Sequence, residues 1–328
     1  MFPPNVARNP LPPPGYGGDR ITHTRTDMKT QHQKAFTVAV VWTLGLLFLG
    51  SIVHATESSL ACPDWPTCYG TMVPVMTGGV FWEHLHRLVA GGLLLMWSLA
   101  TWIAHREFPD RRWVVKTCWA GLGLLLVQSV FGGMTVLFKL PDLVSTSHLG
   151  LALLFLGLAT VLASATAWSA GVDAMSRSQA AGVRLWGLFA ALLVFAQSVL
   201  GGLVRHTDAG MACPDAPLCL GQVVPPLGSG LVALHFFHRV LGITAAIAVF
   251  WLALRVHRSG APAGVRTWTS WATALILIQV GLGFVSVLSG LAVVPVSLHT
   301  LVAAGTLAVL VHVTTLGWVA IDGAPAEG

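Results

Sequence analysis

The sequence predicts an all-α integral membrane protein, with eight transmembrane helices arranged as two tandem four-helix bundles related by a pseudo-twofold axis. Three observations carry this expectation. The 328 residues are 55% hydrophobic and only 9% charged, whereas about a quarter of the residues of a soluble domain are charged. Eight apolar, charge-poor runs recur along the chain, each long enough for a helix to cross roughly 30 Å of hydrocarbon. The loop ACPDWPTCYG at 61–70 returns as ACPDAPLCLG at 212–221, with seven of ten residues identical.

In chain order, residues 1–34 come first. MFPPNVARNPLPPPGYGGDR is rich in Pro and Gly and lacks apolar periodicity, which predicts a disordered tail. It also lacks the basic, apolar and small-residue succession of a cleaved signal peptide. The first span, 35–53 (AFTVAVVWTLGLLFLGSIV), contains no charge and is too long for a signal peptide, so it reads as a retained helix. Further spans follow at 84–104, 114–136, 147–169, 183–204, 234–254, 267–288 and 296–319. The second opens among EHLHR (83–87) and the sixth among HFFHR (235–239). The chain thus divides into a tail (1–34), an N-terminal half (35–170) and a C-terminal half (182–319).

Lys and Arg set the orientation. Fourteen of the eighteen lie in the tail and in the second-to-third, fourth-to-fifth and sixth-to-seventh connections; only Arg87, Lys139, Arg205 and Arg239 lie at the other ends. Both termini are therefore expected in the cytoplasm and both cysteine loops on the outer face of the cell membrane. The net charge of +5 follows from this topology and gives no argument for nucleic acid.

The repeat extends beyond the loops. Cys62 and Cys213, Cys68 and Cys219, Gln128 and Gln279, and His148 and His299 are each offset by 151 residues, and His86 and His238 by 152. Four helices is an even number, so the two copies share one topology and a twofold axis along the membrane normal should relate them. A shorter echo, QSVFGG at 128–133 and QSVLGG at 197–202, reads as small-residue helix packing.

Each cysteine pair has five residues between its members and lies on the oxidising side, so a disulfide within each loop, Cys62–Cys68 and Cys213–Cys219, is the natural reading. A structural staple is favoured over a redox role. Cys118 reads as a packed core thiol.

Four of the thirteen histidines, His86, His148, His238 and His299, stand in repeat-related positions near the starts of even-numbered spans, at one depth. Intramembrane ionisable side chains are costly and mark function. Imidazole is an axial ligand of haem iron, and facing helices of a bundle can hold one macrocycle between them. The reading is one bis-histidine site per half: His86 with His148, and His238 with His299. Glu83 precedes His86 by three residues, about 4.5 Å along a helix axis and on the same face; His235 takes its place in the second half. His84 is turned away from His86 and is mirrored by Phe236. His105 and His257 recur at the cytoplasmic ends, where a headgroup role suffices.

Taken together, the eight spans in two like halves, the Glu-x-x-His-Arg at 83–87, the histidines at 148, 238 and 299 and the CPDWPTC-type loops resemble the haem A synthase family over residues 35–319. The resemblance implies oxidation of a porphyrin methyl group of haem O to the formyl group of haem A, for terminal oxidases. It implies substrate haem in the N-terminal half between His86 and His148, a catalytically important Glu83, and a haem b cofactor in the C-terminal half on His238 and His299. Arg87, Arg205 and Arg239 become candidate contacts to haem propionates; His54 stands where the second half has Arg205. The partners to be expected are the lipid bilayer, haem O, haem O synthase, an electron donor of unspecified identity and a further copy of the chain. Two other classes share some of these features. A diheme b-type cytochrome would use the same four histidines but leaves Glu83 without a task, and a membrane thiol–disulfide oxidoreductase would use the cysteines but not the histidines.

Overall fold

The computed structural model describes residues 18–107, 111–167 and 175–322. Among these are eight long helices and no strand: α1 (Gly18–Ala55), α2 (Gly78–Glu107), α3 (Arg112–Leu137), α4 (Asp142–Ala167), α5 (Arg177–His206), α6 (Gly230–Arg258), α7 (Ala263–Leu288) and α8 (Val293–Asp322). All eight are long and apolar enough to cross a membrane. Every helix begins before its expected apolar run, because polar flanking residues go on closing the i to i−4 ladder beyond the hydrocarbon. The largest difference is α1. Its apolar part is Lys34–Ala55, but the helix begins at Gly18, inside the stretch expected to be disordered. Pro14 is the last proline before it, so no ring interrupts the ladder from Gly18 onward. Residues 1–17 of the expected tail lie outside the described residues.

Helix starts carry local signals. Ser176 caps α5 through a reciprocal box, its hydroxyl accepting from Gln179 N–H and the Gln179 side chain accepting from Ser176 N–H. Asp142 lies in the first turn of α4, where the helix dipole favours a carboxylate. Pro295 lies in the first turn of α8, where its missing N–H is no loss.

α1 packs on α2 and α4, and α3 on α2 and α4, so the first four helices close a ring; α5, α6, α7 and α8 close another in the same order. Between the rings α1 meets α8, α4 meets α5, and α4 meets α8. Exchanging the two halves turns the first of these contacts into the second and the third into itself. One apolar cluster fills the first ring, around Phe36, Leu93, Trp97, Phe155 and Leu162. A larger one fills the second ring and runs into Leu47, Leu153 and Leu156 of the first.

Lipid gives helices little hydrophobic reason to associate, so close backbone approach and polar ties must hold the rings together. A methyl group on Gly202 of α5 would lie 2.6 Å from Leu149 of α4. Ser51 and Thr300 share a hydrogen bond of 3.1 Å across α1–α8, and Thr146 meets His206 Nδ1 at 3.1 Å across α4–α5. The rings of His54 and His206 pack 5.0 Å apart, and the Arg205 guanidinium donates to the carbonyl of His54, its own repeat counterpart.

Candidate haem-binding sites

Both expected disulfides are present, Cys62–Cys68 and Cys213–Cys219, and all four cysteines are buried. Each loop is knotted by one aspartate. Asp64 accepts from the N–H groups of Tyr69 (2.6 Å) and Gly70 (2.9 Å) and from the Thr67 hydroxyl. Asp215 accepts from Leu220 (2.7 Å) and Gly221 (2.8 Å). Both carboxyls are held below the usual carboxylate range, Asp64 chiefly by the Thr67 hydroxyl and Asp215 chiefly by Gly221 N–H.

The loops are clamped to the helices that follow them. Arg87 Nη1 donates to the carbonyls of Asp64 (2.7 Å) and Thr67 (2.5 Å), and Nη2 to Cys62 O (3.2 Å) and Glu83 Oε1 (2.6 Å). Arg239 repeats this with Asp215 O, Leu218 O and Cys213 O. The terminal N–H groups of Arg87 are thereby all engaged. No pattern of side chains signals such clamps, because their acceptors are backbone carbonyls; the one available hint was that an Arg follows His86 in one half and His238 in the other.

Glu83 is buried, at 4% exposure. Its Oε2 accepts from Cys62 N–H at 2.8 Å, while Oε1 meets Arg87. In the second half His235 occupies this place, its Nδ1 2.9 Å from the Ala209 carbonyl. His84 is buried against the first disulfide, with Nε2 3.1 Å from Met72 O. Cys118 is buried and unpaired, and its carbonyl accepts from Trp97 Nε1 at 3.0 Å.

His86 and His238 each lie eight residues beyond the first residue of their helix, and His148 and His299 six, about 12 Å and 9 Å from the helix starts. His86 has His148 within electrostatic range, and His238 has His299. Each of the four rings is seated on a glycine. A methyl group on Gly50 would lie 3.1 Å from His86 Cε1, one on Gly132 3.0 Å from His148 Cε1, one on Gly201 2.8 Å from His238 Cε1, and one on Gly283 3.2 Å from His299 Cε1. The imidazoles thus lie close against the backbone of the neighbouring helix; a Cβ would come under 3.0 Å only at Gly201, and at the other three seats the ring would have to give by a few tenths of an ångström.

These four glycines were missed from sequence, although Gly132 and Gly201 belong to the QSVFGG and QSVLGG echo. The glutamines of that echo also touch the histidines. His148 Nδ1 lies 3.1 Å from Gln128 O, and Gln128 Nε2 lies 3.4 Å from His148 Nε2. Gln197 Nε2 donates to His238 O at 2.9 Å and approaches His238 Nε2 at 3.5 Å. Buried Nδ1 atoms of His86 and His238 have no hydrogen-bond partner. An imidazole nitrogen left so in an apolar bundle is costly and fits a site completed by a group that takes nitrogen lone pairs.

Known proteins are similar to most of this chain. The family model described as cytochrome oxidase assembly protein (COX15-CtaA) matches residues 33–79 and 77–311. The chain is 30% identical over 302 residues to a protein of Symbiobacterium thermophilum named "Heme A synthase", covering 88% of this chain and 96% of that one. Proteins of the same name from Halalkalibacterium halodurans (30% over 280 residues, 81% and 90% covered) and Caulobacter vibrioides (27% over 331 residues, 86% and 94% covered) are similar along most of their length.

Proposed function

The chain belongs to the COX15-CtaA family of cytochrome oxidase assembly proteins, and on that premise we propose that it is a haem A synthase, an oxidoreductase that converts the methyl group of haem O to the formyl group of haem A. The observation that carries this reading is the set of four repeat-related imidazoles, half-buried within the helix bundles, in two pairs and each seated on a glycine. The two pairs are a chemically suitable donor set for two haems. Substrate haem O is assigned to His86 and His148, and a haem b cofactor to His238 and His299. When bound, haem iron supplies the one-electron chemistry that no side chain here can.

The protein's own contribution is to hold, orient and exclude. The glycines let the imidazoles approach from α2, α4, α6 and α8 without displacing the neighbouring helix. Glu83, one turn before His86, is the carboxylate assigned to proton handling at the substrate site; Arg87 balances its charge and Cys62 N–H fixes its orientation. Arg87 and Arg239 act by fixing the cysteine loops over the ends of their helices. Arg205 has the loosest ties, 3.3 Å to His54 O and 3.4 Å to Glu57, and is the guanidinium assigned to a haem propionate. With the cysteine loops outward and both termini cytoplasmic, the sites lie in the outer leaflet of the cell membrane. Haem O synthase and an electron donor are the partners that such a reaction requires.

The test is the absorption spectrum of the purified protein together with analysis of its extracted haems. Haem b accompanied by haem O or haem A is expected; haem b alone would shift the reading to a diheme cytochrome, and absence of haem would refute it.

A further inference from the structure

We propose that the two imidazoles of the substrate pair are unequal: His148 is the permanent axial ligand, and His86 is the one that leaves to open the iron. This deepens the haem A synthase reading and rests on it. Two histidines would fill both axial positions, whereas binding of dioxygen at the iron during the oxidation would need one of them free.

The surroundings of the two rings differ in kind. His148 is oriented by Gln128: its Nδ1–H donates to the Gln128 carbonyl at 3.1 Å, which leaves Nε2 as the lone-pair nitrogen for iron, and the Gln128 amide now 3.4 Å from that nitrogen would give way to the metal. A hydrogen bond on the distal ring nitrogen fixes tautomer and orientation and raises the basicity of the other nitrogen, which strengthens a metal ligand. His86 makes no hydrogen bond among the described residues, and its Nδ1 is buried without a partner.

The internal repeat shows what is missing. Three of the four glycine seats have a glutamine one turn earlier on the same helix: Gln128 before Gly132, Gln197 before Gly201, and Gln279 before Gly283. Before Gly50 the residue is Leu46, at the position where the second half has Gln197. Gln197 ties its side chain to the backbone and ring of His238; Leu46 packs into the apolar cluster of the first ring and offers His86 only surface. The haem b pair is therefore buttressed on its α6 ligand and the substrate pair is not, as expected if one half must exchange a ligand and the other must not. Release of His86 breaks one coordinate bond, the imidazole keeping the electron pair it had donated, so no oxidant or reductant is involved.

The experiment uses the full chain, purified and loaded with haem O, with haem content, spin state and carbon monoxide binding of the reduced protein as readouts. His86→Ala should keep the haem of the N-terminal half, turn it high-spin and bind carbon monoxide without a displacement phase, whereas His148→Ala should lose that haem. Leu46→Gln, which supplies the missing amide, should keep the haem low-spin and weaken carbon monoxide binding about fivefold, the effect of one net hydrogen bond. Equal haem loss in the two histidine variants, or unchanged carbon monoxide binding in Leu46→Gln, would overturn the assignment while leaving the synthase reading standing. A wild-type protein that takes up haem only on His238 and His299 would overturn both.

Discussion

Glu83 offers the sharpest test, because its two oxygens are tied to different partners. Glu83→Ala removes the acceptor of Cys62 N–H and one arm of a buried ion pair. An orphaned buried donor costs about 1–3 kcal/mol, and breaking a buried pair costs about 3–5 kcal/mol. The second figure is a ceiling here, since Arg87 keeps its three loop carbonyls. The expected loss of stability is about 2–4 kcal/mol. Glu83→Gln is no silent control: its amide N–H₂ must face either Cys62 N–H or the Arg87 guanidinium, both donors, so it should lose a comparable amount. The proper control is Asp64→Asn, which loosens the same loop because its NH2 must replace one acceptor oxygen and so oppose either Tyr69 N–H or the Gly70 N–H and Thr67 hydroxyl pair, while leaving Glu83 intact. The assays are unfolding in detergent and the ratio of haem O to haem A extracted from membranes. Both Glu83 variants should accumulate haem O or a hydroxylated intermediate, and Asp64→Asn should still form haem A. If Asp64→Asn reproduced the loss of conversion, Glu83 would be a loop anchor and not a proton-handling group; near-normal conversion by both Glu83 variants would refute its role outright.

Further outcomes follow from the same contacts. Gly201→Ala, whose methyl would lie 2.8 Å from His238 Cε1, should lower haem b content by displacing that ring, at an overpacking cost of about 1–3 kcal/mol; haem analysis of the variant checks this. Replacing Cys62 and Cys68 by Ser should cost about 2 kcal/mol through the small loop the bridge closes, read as a lower unfolding midpoint with haem binding retained. The folded-state pKa values of Asp64 and Asp215 are depressed, so their contribution to the loops is fully present above the ordinary carboxylate value of 3.8 and is lost as pH falls through the lower folded value. Protease sensitivity of the loops should accordingly be flat from neutral pH down to about 4 and should rise only in stronger acid.

Spans, repeat and ligand candidates were legible because a bilayer demands long uncharged runs and tolerates few histidines within them. The tail was misjudged beyond Gly18: polar composition argued for disorder, while helix continuity from the first span decided otherwise. The glycine seats escaped because a glycine within an apolar helix has the same letter whether it faces lipid, a neighbouring helix or an imidazole. Gln128 and Gln197 were read as packing because their shared role appears only once the facing helices are in place. Trp65 is a similar case. It rests against Gly133 of α3, where a methyl would lie 2.8 Å from its Cδ2, while the second half has Ala216 and Phe284 at the corresponding positions, the large and small residues exchanged.

The contacts between the two rings have a further consequence for how such a chain can vary. Because α1–α8 and α4–α5 are the same contact made twice, and α4–α8 is its own mirror, the seam is isologous in the sense used for twofold dimers. A half-length chain of this kind would present to a second copy of itself the surfaces that the two halves present to each other. Such a dimer would be condemned to identical sites, with a glutamate beside both haems or beside neither. Joining the copies end to end through the stretch between α4 and α5 frees the two halves from that symmetry. Glu83 can then stand where the other half has His235, and Leu46 where it has Gln197, so that on the proposed assignment one site would be altered for turnover while its twin would remain a fixed cofactor station.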